Sequence, residues 1–287
     1  MAERRWASLP WSRAQRRATQ LREVAATVPF WWHSIDLGHG IVTPGHKHIE
    51  YLRRELEALR LPSLEGQSVL DVGAWDGFYS FEAERRGAER VVAVDHYAWS
   101  LDVGAAVADS GLADQTSQPL PETDVPEPLR STPAVWRPDT LPGKRGFDVA
   151  HDALGSSVEG IVADFMEMDL DELGRFDVVL YLGVLYHMEN PLGALRRVAS
   201  VTRRLAVIET AAVIVAGAED HALCEFYESD ELQGDGGNWW APNAKALAGM
   251  CRAAGFSRVE LLDGHPYRGA PPESGIARHR TIAHAWK

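Results

Sequence analysis

The residues of this 287-residue sequence that could do chemistry sit at the ends of short apolar runs. The run 68–72 leads into Asp71-Val72-Gly73-Ala74-Trp75-Asp76-Gly77 and then into a helical pattern over 77–86. A glycine-spaced turn between strand and helix lets the backbone approach a ligand and aims helix N–H groups at an anion. Asp95 closes the next apolar run, 24 residues after Asp71. An acid there accepts hydrogen bonds from the two hydroxyls of a ribose, and His96 follows it. Asp164-Phe165 ends a third run, Leu182-Gly183 a fourth, and Glu209 a fifth. Tyr186-His187 stands just past the fourth. This pattern predicts a nucleotide-like ligand. The glycines lack the Gly-x-Gly-x-x-Gly spacing, which argues against a nicotinamide dinucleotide. His187 is a candidate general base by type and place, or else a packed structural histidine. His33 and Glu209 are alternative bases.

The elements that would position these residues alternate strand and helix, which predicts an α/β fold with a mostly parallel sheet. Strands are expected at 68–72, 90–95, 158–163, 176–182, 205–209, 257–262 and 281–286. Helices are expected at 12–28, 47–60, 77–86, 146–154, from Pro191, and at 242–254. Residues 1–66 read as an N-terminal helical and aromatic cap, and 67–287 as the catalytic domain. Seven prolines within 119–142 exclude a regular helix or central strand there, so 100–142 reads as a surface insertion. Residues 218–241 read as a long acidic, aromatic loop.

Composition narrows the partners. The net charge is −12. Residues 1–30 carry six arginines against two glutamates, a net +4, so the remainder carries −16. An acidic body is a poor partner for a nucleic-acid backbone. No apolar run reaches the ~20 residues of a membrane helix, and the arginine-rich start lacks an apolar h-region. Two cysteines, Cys224 and Cys251, read as reduced thiols, so a cytoplasmic protein is expected. His46-Lys47-His48 places two histidines on different sides of a helix start, so no metal is expected. Many of the ten tryptophans fall in loops on the pocket side, including Trp32, Trp75, Trp239 and Trp240. With Asp36 and Asn238 they are the predicted acceptor-binding residues.

The Asp71–Gly77 turn resembles the S-adenosylmethionine turn of class I methyltransferases, with Trp75 in place of the middle glycine. The run Val184-Leu185-Tyr186-His187, continued by Pro191-Leu192, resembles the tRNA wobble-uridine (5-hydroxyuridine) methyl- and carboxymethyltransferases. Trp32 to Gly38, Glu209-Thr210 and Asn238 to Asn243 extend that resemblance. It implies a Rossmann-like, seven-stranded sheet with the last strand antiparallel and helices on both faces. It also implies S-adenosylmethionine as cofactor, held by Asp71, Gly73, Trp75, Asp76, Gly77, Asp95, His96, Asp164, Phe165, Leu182, Gly183 and Tyr186. Tyr186 falls beside the transferred group. The carboxymethyl enzymes also use an N-terminal lysine and a C-terminal arginine. No lysine precedes Lys47 here, although Arg280 could stand in for the arginine, so the plain donor is expected. The expected activity is methyl transfer to oxygen or carbon of a small-molecule acceptor. The alternatives are tRNA wobble uridine and a non-catalytic donor-binding protein.

Overall fold

The computed structural model describes residues 12–103, 136–218, 220–232, 236–266 and 274–287. The strands are β1 (Ser68–Val72), β2 (Arg90–Asp95), β3 (Glu159–Val162), β4 (Phe176–Leu182), β5 (Thr202–Val215), β6 (Cys224–Phe226), β7 (Trp240–Pro242), β8 (Arg258–Leu262) and β9 (Ile276–Trp286). The helices are α1 (Arg13–Ala25), α2 (Ile49–Leu59), α3 (Phe78–Arg85), α4 (Tyr97–Ser100), α5 (Arg145–Leu154), α6 (Leu170–Leu173), α7 (Pro191–Val201) and α8 (Ala244–Ala253). Seven strands form one sheet in the order β3-β2-β1-β4-β5-β9-β8. All pairs are parallel except those of β9, which runs antiparallel to both neighbours. The expected last antiparallel strand is therefore present. Strand order reverses between β1 and β4, and the crevice beyond their carboxyl ends is where an open α/β sheet binds ligands.

Alternation along the strands makes two cores. Val69, Leu180, Val207 and Ile282 face α1, α2, α3 and α5. Leu70, Val179, Tyr181 and Ile208 face α6, α7 and α8. Side chains on neighbouring strand positions point to opposite faces, so near-continuous apolar strands are what a two-faced sheet requires. Pro191 at the start of α7 suits a first-turn position, and the Asn190 side chain accepts from the Gly193 amide to cap it.

Three expectations change. Strand five extends to Val215, and β9 begins at Ile276 rather than 281; the two pair from Leu205↔Trp286 to Val215↔Ile276. The overhang builds a satellite core of Ala211, Val213, Tyr227, Leu232 and Ala241, against which Tyr186 packs. The expected 218–241 loop contains the short antiparallel pair β6–β7. The insertion lies mostly outside the described residues, but its ends close on each other. Leu101 and Trp136 form an antiparallel bridge, and the Arg137 amide donates to the Ser100 carbonyl at 2.7 Å. Among the described residues no helix is long and apolar enough to cross a membrane.

Candidate active site

The glycine turn is shaped by packing. Gly73 and Gly77 both hold positive φ, +78° and +83°. A Cβ on Gly73 would lie 2.6 Å from the Val184 side chain, and one on Gly77 would meet Phe147 and Phe81 at 2.7 and 2.8 Å. Glycine there lets the β4 turn and α5 approach. Trp75 is itself left-handed at φ +47°. Its ring stacks on Trp32, centroids 4.6 Å apart and 4° from parallel, and its carbonyl accepts from Trp99 Nε1.

Three carboxyls lie buried around this turn. Asp71 Oδ2 accepts from Ser80 Oγ at 2.6 Å. Asp95 accepts from the amides of Trp75 and Ala98, both at 2.9 Å. Asp76 Oδ2 accepts from the amides of Trp32 and His33, at 2.7 and 2.8 Å, and Asp76 Oδ1 is buried without a partner. Burial pushes Asp71 and Asp76 up to about 7, assisted by the Asp95 charge and opposed by their hydrogen bonds. Burial likewise pushes Asp95 up to about 6 against its amide bonds. Among the described residues none of the three is ion-paired to lysine or arginine. Anionic capacity without a counter-cation suits a cationic ligand. Nearby, Asp164 is exposed and accepts from the Met166 amide, and His96 stands edge-on to Trp136.

On the β4–β5 side, Gly183 ends the strand at φ +74°. The position its Cβ would take lies 3.6 Å from Arg280 Nη2, 3.9 Å from the Tyr186 hydroxyl and 4.0 Å from Glu209 Oε2. The absent side chain thus leaves a notch ringed by polar atoms. Arg280 Nη2 donates to Glu209 Oε2 at 2.7 Å, and Arg280 Nε donates to Oε1. The guanidinium also lies 4.9 Å from the Tyr186 ring centre. Burial opposes ionisation of Glu209, but Arg280 and then His265 hold it below the usual carboxylate range. His187 packs 4.1 Å from the Tyr186 ring, and its Nδ1 lies 3.0 Å from the Gly237 carbonyl. That carbonyl only accepts, so Nδ1 carries the proton and Nε2 the lone pair.

Several expected roles are corrected. Asp36 is exposed and accepts from the Gly38 amide, which makes it a turn former at a hairpin tip. Both faces of Trp32 are covered, by Trp75 and by His46 at 4.9 Å, so it has no face to offer an acceptor. His33 is buried against Phe78 and Tyr79, and burial with Lys47 pushes it down to about 3, out of range for a general base at neutral pH. Phe165 turns into the core beneath Arg197 rather than toward a ligand. Asn238 is buried; its Nδ2 donates to the Leu232 carbonyl within its own loop, and its Oδ1 has no partner among the described residues. Trp239 and Trp240 stay half-buried beside the exposed Phe226. Asp76 fastens the backbone at Trp32 and His33.

Sequence reasoning missed a buried charged cluster behind Glu209. Lys47 Nζ lies 2.9 Å from Glu55 Oε1, and the Tyr79 hydroxyl donates to Glu55 Oε2 at 2.7 Å. His265 Nε2 lies 3.5 Å from Glu55 Oε1 and 3.4 Å from Glu209 Oε1. Burial would raise Glu55, but Lys47, the nearby His265 imidazole and the Tyr79 hydroxyl hold it well below the usual carboxylate range. One signal was present: Glu55 falls on the apolar stripe of α2 with Leu52, Leu56 and Leu59. His265 carries no such signal. A cleft of about 500 Å³ lies at the amino ends of β1, β2, β4 and β5, among Arg90, Arg175, Asp177 and Arg203, at the opposite end of the sheet from these residues.

Residues 45–261 match the family described as a methyltransferase domain. The tRNA U34 carboxymethyltransferase of Idiomarina loihiensis is 23% identical over 209 residues, covering 72% of this chain and 50% of that protein. The protein of the same name from Helicobacter pylori is 31% identical over 87 residues, covering 30% of this chain and 32% of that protein. The chain thus spans half or less of the length of these relatives. Among solved structures, the N-terminal domain of EvdMO1 in the presence of SAH and D-fucose superposes with a TM-score of 0.60. Identity is 17%, with 96% of this chain and 100% of that one covered, which shows a shared fold.

Proposed function

This chain belongs to the methyltransferase-domain family, and from that premise we propose that it moves a methyl group from S-adenosylmethionine to a small-molecule acceptor. The donor supplies an electrophilic methyl on a sulfonium. The residues present fit it. Among the described residues the buried carboxyls around the glycine turn have no lysine or arginine partner, which suits a positively charged ligand. Asp164 keeps an oxygen for an exocyclic amine, and His96 flanks the same edge.

The observation that carries the acceptor side is the notch at Gly183. Arg280 Nη2 and the Tyr186 hydroxyl offer donors there, and Glu209 Oε2 an acceptor. Methyl transfer needs the acceptor atom placed in line and shielded from water, more than it needs covalent help. Tyr186 and Arg280 orient the acceptor, and His187, with Nδ1 fixed on the Gly237 carbonyl, takes the acceptor proton at Nε2. Glu209 is held ionised by Arg280 and serves to hold that guanidinium. The same pairing favours the plain donor. Glu209 neutralises Arg280 and Glu55 neutralises Lys47, so an added carboxylate on the donor would meet no uncompensated positive charge at either residue.

The name of the curated relatives favours a second reading, wobble uridine of tRNA. One experiment separates the two. The protein is incubated with methyl-labelled S-adenosylmethionine and, in parallel, D-fucose, small-molecule extracts and bulk tRNA. Label in the small-molecule fraction is expected. Label in uridine of tRNA would replace this reading, and label nowhere would end it.

A further inference from the structure

The cap and the acceptor side meet at one imidazole. His265, on the connection between β8 and β9, is buried to 3% exposure. Its Nε2 stands almost equidistant from a carboxylate of the cap, Glu55 on α2, and a carboxylate of the sheet, Glu209 on β5. Neither carboxylate is a spectator. Glu55 is tied to Lys47, and the Lys47 amide and carbonyl bond Trp32 and Ser34 in the cap segment. Glu209 is the bidentate partner of Arg280, whose guanidinium faces Tyr186 at the Gly183 notch. Two buried carboxylates this close repel each other unless a donor lies between them. A buried polar cluster of this kind is worth most when every member is satisfied and loses its order when one is removed.

We propose that His265 is a positioning residue for methyl transfer, bridging Glu55 to Glu209 so that Arg280 and Tyr186 take their places only when the cap is docked. This rests on the reading of Tyr186 and Arg280 as acceptor-side residues. His265 meets the notch through Glu209 Oε1, so its loss acts through Glu209. Released from His265, Glu209 can swing with Arg280 away from Tyr186, and the notch loses its donors. The donor edge, on β1 to β3, is left as it was.

The test uses the full chain with His265→Ala and His265→Gln. A glutamine side chain keeps an N–H donor to set between the two carboxylates. Three quantities are measured: the Kd for S-adenosylhomocysteine, kcat and KM for the acceptor found by the labelling experiment, and amide hydrogen exchange. His265→Ala is expected to lower kcat by about ten- to hundredfold, the scale of a misplaced group, with the S-adenosylhomocysteine Kd unchanged. His265→Gln is expected to recover most of kcat. Exchange is expected to rise in His265→Ala both at 45–59 and at 183–190. Equal losses of donor binding and kcat, no loss in either, or a glutamine variant no better than alanine would each overturn the proposal. If the unsubstituted protein methylates nothing, the methyl-transfer reading fails separately and exchange alone judges the bridge. Joint release of 45–59 and 183–190 supports it, and release confined to the neighbours of His265 refutes it.

Discussion

Trp75 shows how a single side chain changes meaning once its neighbours are known. From spacing it was an aromatic wall for the acceptor. In the fold it is a left-handed residue whose ring is stacked on Trp32. Left-handed backbone costs a non-glycine residue about 1–2 kcal/mol, and truncating a packed tryptophan costs about 3–5 kcal/mol. Trp75→Ala is therefore expected to destabilise the protein strongly, and Trp75→Gly by about 1 kcal/mol less, because glycine relieves the φ strain. Urea unfolding of both variants checks the order; alanine proving the milder change would contradict it. Asp76 offers a pH-resolved test. Its folded pKa is raised to about 7 from 3.8, so its proton is held more tightly folded than unfolded. Its contribution to stability is complete below 3.8 and is lost as pH rises through 7. Asparagine keeps an oxygen for the Trp32 and His33 amides without the charge. The Tm of Asp76→Asn relative to the parent should climb between about pH 4 and about pH 7 and level off above, and a flat difference would refute the assignment. Residues of this kind were legible only in part. Asp71, Asp95 and Glu209 were found because strand ends mark them. The backbone bonds of Asp36 and Asn238 were not legible, because a loop has no periodicity to say whether a polar side chain serves a ligand or its own backbone.

At the scale of elements, β1, β2 and β4 have the bounds that their apolar runs indicated, because central strands buried on both faces write themselves as continuous apolar residues. The overhang of β5 and β9 was hidden. Thr210-Ala211-Ala212 gives no strong strand signal, and its partner Arg278-His279-Arg280 is polar. Their pairing is secured by the distant residues Tyr227 and Leu232, which no local window contains. That overhang carries Arg280 to the notch, so the illegible part of the fold is also what completes the acceptor side. Helix α2 depends on a buried ion pair at its start. Lys47 and Glu55 are 20% and 4% exposed at their side chains. Removing one partner of a buried ion pair strands the other charge, at a cost of about 3–5 kcal/mol. Lys47→Met is expected to fall in that range and to loosen residues 29–59 in hydrogen exchange. The double variant Lys47→Met, Glu55→Gln should regain part of the loss. Glu55 has a depressed folded pKa, so the stability it contributes is present above about 4.3–4.5 and fades as pH falls. The penalty of Lys47→Met should accordingly shrink in acid. A penalty that is constant with pH would mean that lost packing, and not the stranded charge, is responsible.

The whole molecule sets charge against geometry in choosing the acceptor. The chain carries −12, and the arginines of its first thirty residues leave −16 on the rest. The basic residues of α1 sit on an exposed face, and Arg17 spends part of its guanidinium on the Ala153 carbonyl. The cations nearest the notch are neutralised internally, Arg280 by Glu209 and Lys47 by Glu55. A phosphate backbone approaching that edge would therefore meet no unpaired cation among the residues of the notch and would face a repulsive body. Non-specific nucleic-acid binding draws its free energy from releasing condensed counterions onto lysines and arginines, giving Kd values of about 10⁻⁴–10⁻⁶ M at physiological salt. With few such contacts, bulk tRNA is expected to bind this chain more weakly than about 10⁻⁴ M at ~0.15 M salt, with a shallow salt dependence. A cationic methyl donor gains from the same field, because its positive charge is drawn to an acidic cleft. S-adenosylmethionine should accordingly bind more tightly relative to neutral-sulfur S-adenosylhomocysteine as pH rises through about 6–7, where Asp95 and Asp71 ionise. Filter binding of tRNA across a salt series and calorimetric titration of the two donor forms across that pH range measure both effects. Micromolar tRNA binding with a steep salt slope would show that the basic first segment outweighs the acidic body, and would move the acceptor assignment to RNA.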